Sequence, residues 1–337
     1  MENINTILEA IASRQDLTAE QADMVFNALF DGEMSHVQTG ALLMGLRTKG
    51  ETAIEIAGSV DAALKHAAGI PGLPDDMEAV DIVGTGGDNS QSFNCSTATT
   101  IFLANLGYPN LKHGNRSISS KCGSADALEE LGIPLDVAPD DVAEVVKKHN
   151  LVFLFAPNYH PSFAHVGPVR GQLGIRTMFN FMGPLINPAR PAFQLMGVGV
   201  PDKVDIMAET LSRTGVKRAL VVHGEGGFDE LTTFGPAIAR KVVNGKITTV
   251  EIDPQKFGFP KHEVADVQVT GKEDAVTALR AILQGKGPQA MMDMVALNLG
   301  AAIHLIDDKP LEECMEQAKA AVAKGVAPHY YDGSFAK

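Results

Sequence analysis

Cysteine is scarce in this 337-residue chain: Cys95, Cys122 and Cys314 are an odd number without CxxC spacing. That excludes a disulfide framework and a thiolate metal site, and it suits a reducing, cytoplasmic setting. Dense Lys/Arg clusters are lacking too, and the formal net charge is −13. A phosphate-rich polymer would be repelled, so nucleic acid is not an expected partner. No uninterrupted apolar stretch is long enough to read as a membrane span, because Ala290 to Ile306 is broken by Asp293, Asn298 and His304. The start, Met1-Glu2-Asn3-Ile4-Asn5, carries an acid where an export signal carries basic residues. A soluble protein is expected, and 45% apolar with 20% charged residues is ordinary globular composition.

Capping signals dominate the first seventy residues. Thr18/Gln21, Ser35/Gln38 and Thr52/Glu55 have the spacing of capping boxes, in which a hydroxyl and a Glu or Gln satisfy each other's orphan amides. Ile4, Ile7, Leu8 and Ile11 recur at helical spacing, as do Ala22, Val25, Phe26 and Leu29. Two prolines and two glycines between Gly69 and Pro74 then break the pattern. We therefore expect a small helical domain at 1–72 and a larger α/β domain at 73–337. In the latter, Ala79 to Val83, Leu151 to Phe155, Leu195 to Val200 and Ala219 to Val222 are strand candidates, separated by helical stretches that imply a mostly parallel sheet. Residues 160–188, rich in Gly, Pro and Asn, read as turns and short helices that could return to the helical unit. Asn244-Gly245 suits a hairpin turn, and the tail from Gly271 reads as helix.

Three segments carry chemistry. Asp81-Ile82-Val83-Gly84-Thr85-Gly86-Gly87-Asp88 follows a strand candidate and precedes a helix read over Thr97 to Leu106, so loop amides and a helix N-terminus should converge on an anion. A plain strand-to-helix turn would need the glycines but not the Asn94, Ser96 and Thr97 donors that follow. No Gly-Lys-Ser/Thr is present, and the third glycine is misplaced for a dinucleotide fingerprint. The second segment, Lys112 to Ser124, packs three cations and four hydroxyls into thirteen positions, more than a solvated loop requires. The third is Asp229-Glu230, an acidic pair on the loop after the strand Ala219 to Val222. With a phosphate site nearby it suggests Mg²⁺; alone it would read as surface.

Taken in order, these segments resemble the anthranilate phosphoribosyltransferase family. The resemblance runs through Gly84 to Asp88, Asn94 to Thr97, Lys112 to Ser117, His160-Pro161, His165 to Arg170, Leu173 to Thr177, Gly183 to Leu185 and Asp229-Glu230, and it covers essentially the whole chain. It implies binding of 5-phosphoribosyl-1-diphosphate (PRPP) by Gly84, Gly87, Asp88, Ser92, Asn94, Cys95, Ser96, Thr97, Lys112, His113, Gly114, Asn115, Arg116, Ser117, Ile118, Ser119, Ser120 and Ser124. It implies Mg²⁺ at Ser96, Asp229 and Glu230, and anthranilate near Gly84, His113, Asn115, His160, Arg170 and Pro184, with Arg170 gripping the carboxylate. It also implies an active site in the cleft between the two domains and a homodimer joined through the small one. No general base is assigned, although His113 could accept a proton. Ser162-Phe163-Ala164, Gly227-Phe228 and Ile186 depart from the commonest family wording without removing a charged or hydroxyl contact. A pyrimidine nucleoside phosphorylase and a catalytically silent nucleic-acid binder are the rival readings; Arg170 and the acidic pair disfavour the first, the −13 charge the second.

Overall fold

Four helices open the computed structural model, which describes residues 3–74, 76–87, 90–116 and 123–335: α1 (Ile4–Ala12), α2 (Ala19–Phe30), α3 (His36–Lys49) and α4 (Ala53–Lys65). Thr18, Ser35 and Thr52 each accept from the N–H three residues on, while Gln21, Gln38 and Glu55 accept from the cap's own N–H, so the three expected boxes are formed. Asn3 caps α1 by accepting from Thr6 N at 3.0 Å. Glu55 does more than cap: buried, it also accepts from Leu17 N and from Lys49 Nζ, which ties α3 and α4 to the first loop.

Beyond the glycine-proline break, strands and helices alternate: β1 (Val80–Gly84), α5 (Cys95–Asn105), β2 (Asn110–Gly114), α6 (Ser124–Glu130), α7 (Val142–His149), β3 (Leu151–Phe155), α8 (Ala156–Tyr159), α9 (Gly167–Leu173), β4 (Phe193–Gly197), α10 (Val204–Arg213) and β5 (Arg218–His223). A hairpin, β6 (Ile238–Val243) and β7 (Lys246–Thr249), turns through Asn244 and Gly245 at φ 46° and 79°, the positive values that this dipeptide tolerates. Then come α11 (Lys272–Leu283), α12 (Gln289–Asp307) and α13 (Leu311–Lys324). The sheet order is β3-β2-β1-β4-β5-β6-β7, parallel through β5 and antiparallel at the hairpin edge.

Two sequence expectations shift. The strand expected at Leu195 to Val200 lies at Phe193–Gly197, and Lys112 to Gly114, read as the start of the basic segment, complete β2 (Asn110–Gly114). No apolar run marks β2, because it buries the polar residues Asn110, Lys112 and His113; Asn110 Nδ2 donates to Tyr108 O at 2.7 Å and Lys112 Nζ to Ile82 O at 2.5 Å.

Strand alternation divides the interior. Phe193, Leu195, Leu220 and Val222 face a core built with α5, α11, α12 and α13. Met196, Val198, Ala219 and Val221 face a second core shared with the opening helices and with Val166, Val169, Phe179 and Met182 of the 160–188 segment. Those side chains pack in one cluster with the opening helices, so the bundle's core is continuous with one face of the sheet. Among the described residues, α12 alone is long and apolar enough to span a membrane, but 78% of its apolar window is buried inside the fold, as in a core helix.

Candidate active site

The order in which strands are added reverses between the parallel neighbours β1 and β4: β2 and β3 lie on one side, β5, β6 and β7 on the other. A crevice opens at the C-terminal ends of two such strands, where open α/β sheets bind ligands. Gly84 and Gly197 are register partners at those ends. Both must be glycine, because a Cβ on Gly84 would stand 2.2 Å from Asp229 Oδ2 and one on Gly197 1.5 Å from Asp229 O. The missing side chains let the acidic loop enter the crevice. Sequence reasoning noticed Gly84 but missed Gly197, whose only signal was a glycine closing an apolar strand.

The glycine loop and the acidic pair meet directly. Gly86 N donates to Asp229 Oδ2 at 2.7 Å, and Ser96 N, in the first turn of α5, donates to Glu230 Oε1 at 3.1 Å. Helix α5 has no side-chain cap of its own, so Glu230 supplies that acceptor from across the site. The hydroxyls of Ser92 and Thr97 are buried and have no hydrogen-bond partner among the described residues, which suits a site that receives ligand oxygens. The loop's exit is sewn down by Phe93 N donating to Val267 O and Val269 N to Gln91 O. Gly87 lies under the Arg176 guanidinium, 3.2 Å from where its Cβ would be. Burial, then the nearby Glu230 charge, pushes the Cys95 thiol up, so Cys95 fills space as a thiol.

Lys112 is buried at the same end of the sheet, and burial holds its ammonium below the usual lysine range, opposed by the charges of Asp81, Glu230 and Asp229. Asp81 is fully buried and its carboxyl is pushed up to about 6, mainly by burial, with Lys112, Asn187 and the His113 amide pulling it back. Asn187 Nδ2 donates to Asp81 Oδ2 at 2.9 Å and to Leu111 O at 2.7 Å. Arg116 is exposed at the strand's exit and pairs with Glu129 (3.0 and 3.1 Å) and Asp126 (3.1 Å) of α6. Exposed pairs of this kind are worth roughly 0–1 kcal/mol, so α6 restrains Arg116 only weakly. Asn115, exposed beside it, accepts from Arg116 N; Gly114 ends β2 and Ser124 opens α6. Asp88, Ser117, Ile118, Ser119 and Ser120 lie outside the described residues.

A line of rings runs from this cradle to the helical unit. His113 meets His160 edge to face at 5.2 Å, His160 meets Phe163 at 5.4 Å, and Phe163 meets Phe179 at 5.6 Å. Arg170, on α9, lies 5.5 Å over Phe179, half-buried and without an ion-pair partner among the described residues, and burial lowers its pKa. Burial, then His160, pushes His113 down to about 3, so its ring is neutral. His160 Nε2 donates to Ile186 O at 2.8 Å, which leaves Nδ1 as an acceptor. Pro184 is buried nearby, its carbonyl accepting from Gln194 Nε2 at 2.5 Å. A row of mostly buried, mutually tilted rings ending at Arg170 thus runs between the glycine loop and the bundle.

The donor set fits a hard divalent cation. No group of three or more His, Cys, Asp or Glu side chains able to hold a metal occurs among the described residues. Asp229 and Glu230, with Ser96 joined to Glu230 through its backbone N–H, suit Mg²⁺, which keeps water and substrate oxygens in most of its coordination sphere.

Comparison with known proteins gives consistent matches. Residues 5–67 match the helical bundle domain and residues 76–328 the a/b domain of the glycosyl transferase family. The anthranilate phosphoribosyltransferase of Oleidesulfovibrio alaskensis is 50% identical over 97% of this chain and 98% of its own length; that of Nitratidesulfovibrio vulgaris is 47% identical over 95% and 96%. Among solved structures, the Thermus thermophilus anthranilate phosphoribosyltransferase superposes with a TM-score of 0.88 at 36% identity, covering 98% of both chains. The Saccharomyces cerevisiae enzyme in complex with PRPP and Mg shares the fold at a TM-score of 0.87 and 23% identity, covering 99% of this chain and 98% of its own.

Proposed function

We infer the reaction from kinship and geometry together: the chain belongs to the glycosyl transferase family through both of its domains, and within it to the anthranilate phosphoribosyltransferases. It transfers the phosphoribosyl group of PRPP to the amine of anthranilate, giving N-(5-phosphoribosyl)anthranilate and diphosphate, a step of tryptophan biosynthesis. The observation that carries this reading is the meeting of the glycine loop with Asp229 and Glu230 at the switch point, beside a ring-lined surface ending in Arg170.

The acceptor is an aniline, nucleophilic when neutral, so the chemical load is the charge on the departing diphosphate. We propose that Gly84 to Asp88 and Asn94 to Thr97 shape the cradle, that Lys112, Arg116 and Ser117 to Ser120 contribute to phosphate binding, and that Ser96, Asp229 and Glu230 hold Mg²⁺. When bound, the ion supplies positive charge that stabilises the leaving group. Positioning of two substrates supplies much of the remaining acceleration. His113, neutral and buried, acts as a hydrogen-bonding ring; with its pKa near 3 it is a poor general base. His160, Asn115, Pro184 and Gly84 complete the acceptor's surroundings.

We place the domain boundary at 72/73, with 160–188 returning to the bundle. A homodimer through the small domain is supported by apolar side chains that the bundle leaves exposed: Val37 (82%), Met44 (46%) and Met24 (39%). A cytoplasmic location accords with the free, buried Cys95 and Cys314.

Mixing the protein with PRPP, Mg²⁺ and anthranilate should quench anthranilate fluorescence. An unchanged signal beside rapid phosphorolysis of thymidine or uridine, or beside tight, salt-sensitive DNA binding, would reverse the assignment. Arg170→Ala should raise the KM for anthranilate about ten- to a hundredfold, the weight of one charge-assisted contact, with a smaller change in kcat. An unchanged acceptor KM removes Arg170 from carboxylate recognition.

A further inference from the structure

Three polar residues interrupt the apolar core helix α12, and two have local reasons. Asp293 accepts from Gln289 Nε2 at 2.8 Å and pairs with His262 at 2.8 Å; His304 meets Lys241 Nζ at 3.1 Å near the helix end. Asn298 is different. It is 3% exposed, deep in the core, and its amide is spent on a segment far away in sequence. Its Oδ1 accepts from Leu231 N at 3.1 Å and its Nδ2 donates to Leu231 O at 2.7 Å, so one side chain satisfies both backbone groups of the residue following Glu230. Nδ2 also lies 2.8 Å from Met294 O and 3.6 Å from Cys95 Sγ, at the first residue of α5.

We propose that Asn298 is a positioning residue for the divalent-cation site, fixing the distance between the acidic loop and Ser96. The inference rests on the reading of Ser96, Asp229 and Glu230 as the metal's protein donors. Those oxygens come from two separate pieces of chain, the 229–231 loop and the first turn of α5, and Asn298 touches both pieces at one point. Leu231 lies in no strand or helix, so its N–H and C=O would otherwise be buried without partners. An apolar residue would suit the surrounding core; the amide holds the loop at one height above α5. Outer contacts of this kind commonly set metal affinity by about ten- to a hundredfold.

The test uses the full chain with Asn298→Asp and Asn298→Ser. The aspartate keeps the acceptor for Leu231 N but not the donor to Leu231 O; the serine is too short to reach both. Mn²⁺ binding in the presence of diphosphate, followed by electron paramagnetic resonance, should weaken about tenfold, and the Mg²⁺ midpoint for turnover should rise by a similar factor. The KM for anthranilate should stay unchanged. Asp293→Asn, five residues earlier on the same helix, should lower the melting temperature and leave Mn²⁺ binding unaltered, which separates positioning from general loosening of α12. Wild-type Mn²⁺ affinity in the folded Asn298 variants, with weakened binding in Asp229→Asn, overturns the role of Asn298 alone. Wild-type affinity in Asp229→Asn as well overturns the metal site on which it rests.

Discussion

Replacing Asp229 by Asn and Glu230 by Gln together lowers turnover on the order of a thousandfold and raises the Mg²⁺ requirement, while the melting temperature stays close to that of the parent. The size follows from the chemistry: charge on a departing diphosphate is stabilised by several kcal/mol by a bound divalent cation, and about 4 kcal/mol corresponds to three powers of ten. The unchanged stability follows from the contacts. Asp229 accepts from Gly86 N and Glu230 from Ser96 N, and an amide oxygen can accept both bonds in the same space. Space matters, because the carboxylate of Asp229 sits where a Cβ on Gly84 would be, and only an isosteric replacement fits. A normal magnesium titration of the double variant would remove both residues from the metal site, and a large fall in melting temperature would show that they serve the fold instead.

What the sequence made legible depended on whether a residue's role was local. Thr18, Ser35 and Thr52 cap helices through partners three residues away, and Asn244-Gly245 turns a hairpin between its immediate neighbours, so each could be read from spacing. The glycine loop was legible because strand, loop and helix follow one another. Strand β2 was not, because it carries no apolar run and distant groups hold it: Lys112 Nζ donates to Ile82 O, and Asn187 Nδ2 to the neighbouring carbonyl of Leu111. The contact of Glu230 with α5 joins residues 134 positions apart, and that of Asn298 with Leu231 spans 67; no periodicity reports either. In the basic segment the sequence showed three cations alike, whereas the fold buries Lys112 and leaves Arg116 exposed after β2, paired with Asp126 and Glu129 of α6.

Lys112→Met should cost about 3 kcal/mol at neutral pH and abolish most turnover, and its stability should fall with pH where the parent's does not. Asp81 carries the argument. Its folded pKa of about 6 exceeds the ordinary aspartate value of 3.8, so between those values the folded state holds the proton more tightly than the unfolded. Stability therefore falls as pH rises from about 4 to about 6, and is flat with respect to this group above that. The charge of Lys112 is one of the influences that keep the Asp81 pKa from rising further. Without it Asp81 ionises later, and the decline continues above pH 6 with a limiting slope of about 1.4 kcal/mol per pH unit. His113, held neutral with its pKa near 3, gives an opposite slope in the acid range, but it is common to both proteins and cancels in the difference. Losing one member of a buried charge set costs about 3–5 kcal/mol, much of it from the charge left behind. Asp81→Asn combined with Lys112→Met should accordingly recover most of the stability and remove the extra slope, yet recover no turnover, because the cation at the cradle is still missing. Denaturant unfolding of the parent and the two variants from pH 5 to 8 measures the slope, and a Lys112→Met curve parallel to the parent's across that range would show that the two buried charges are not coupled.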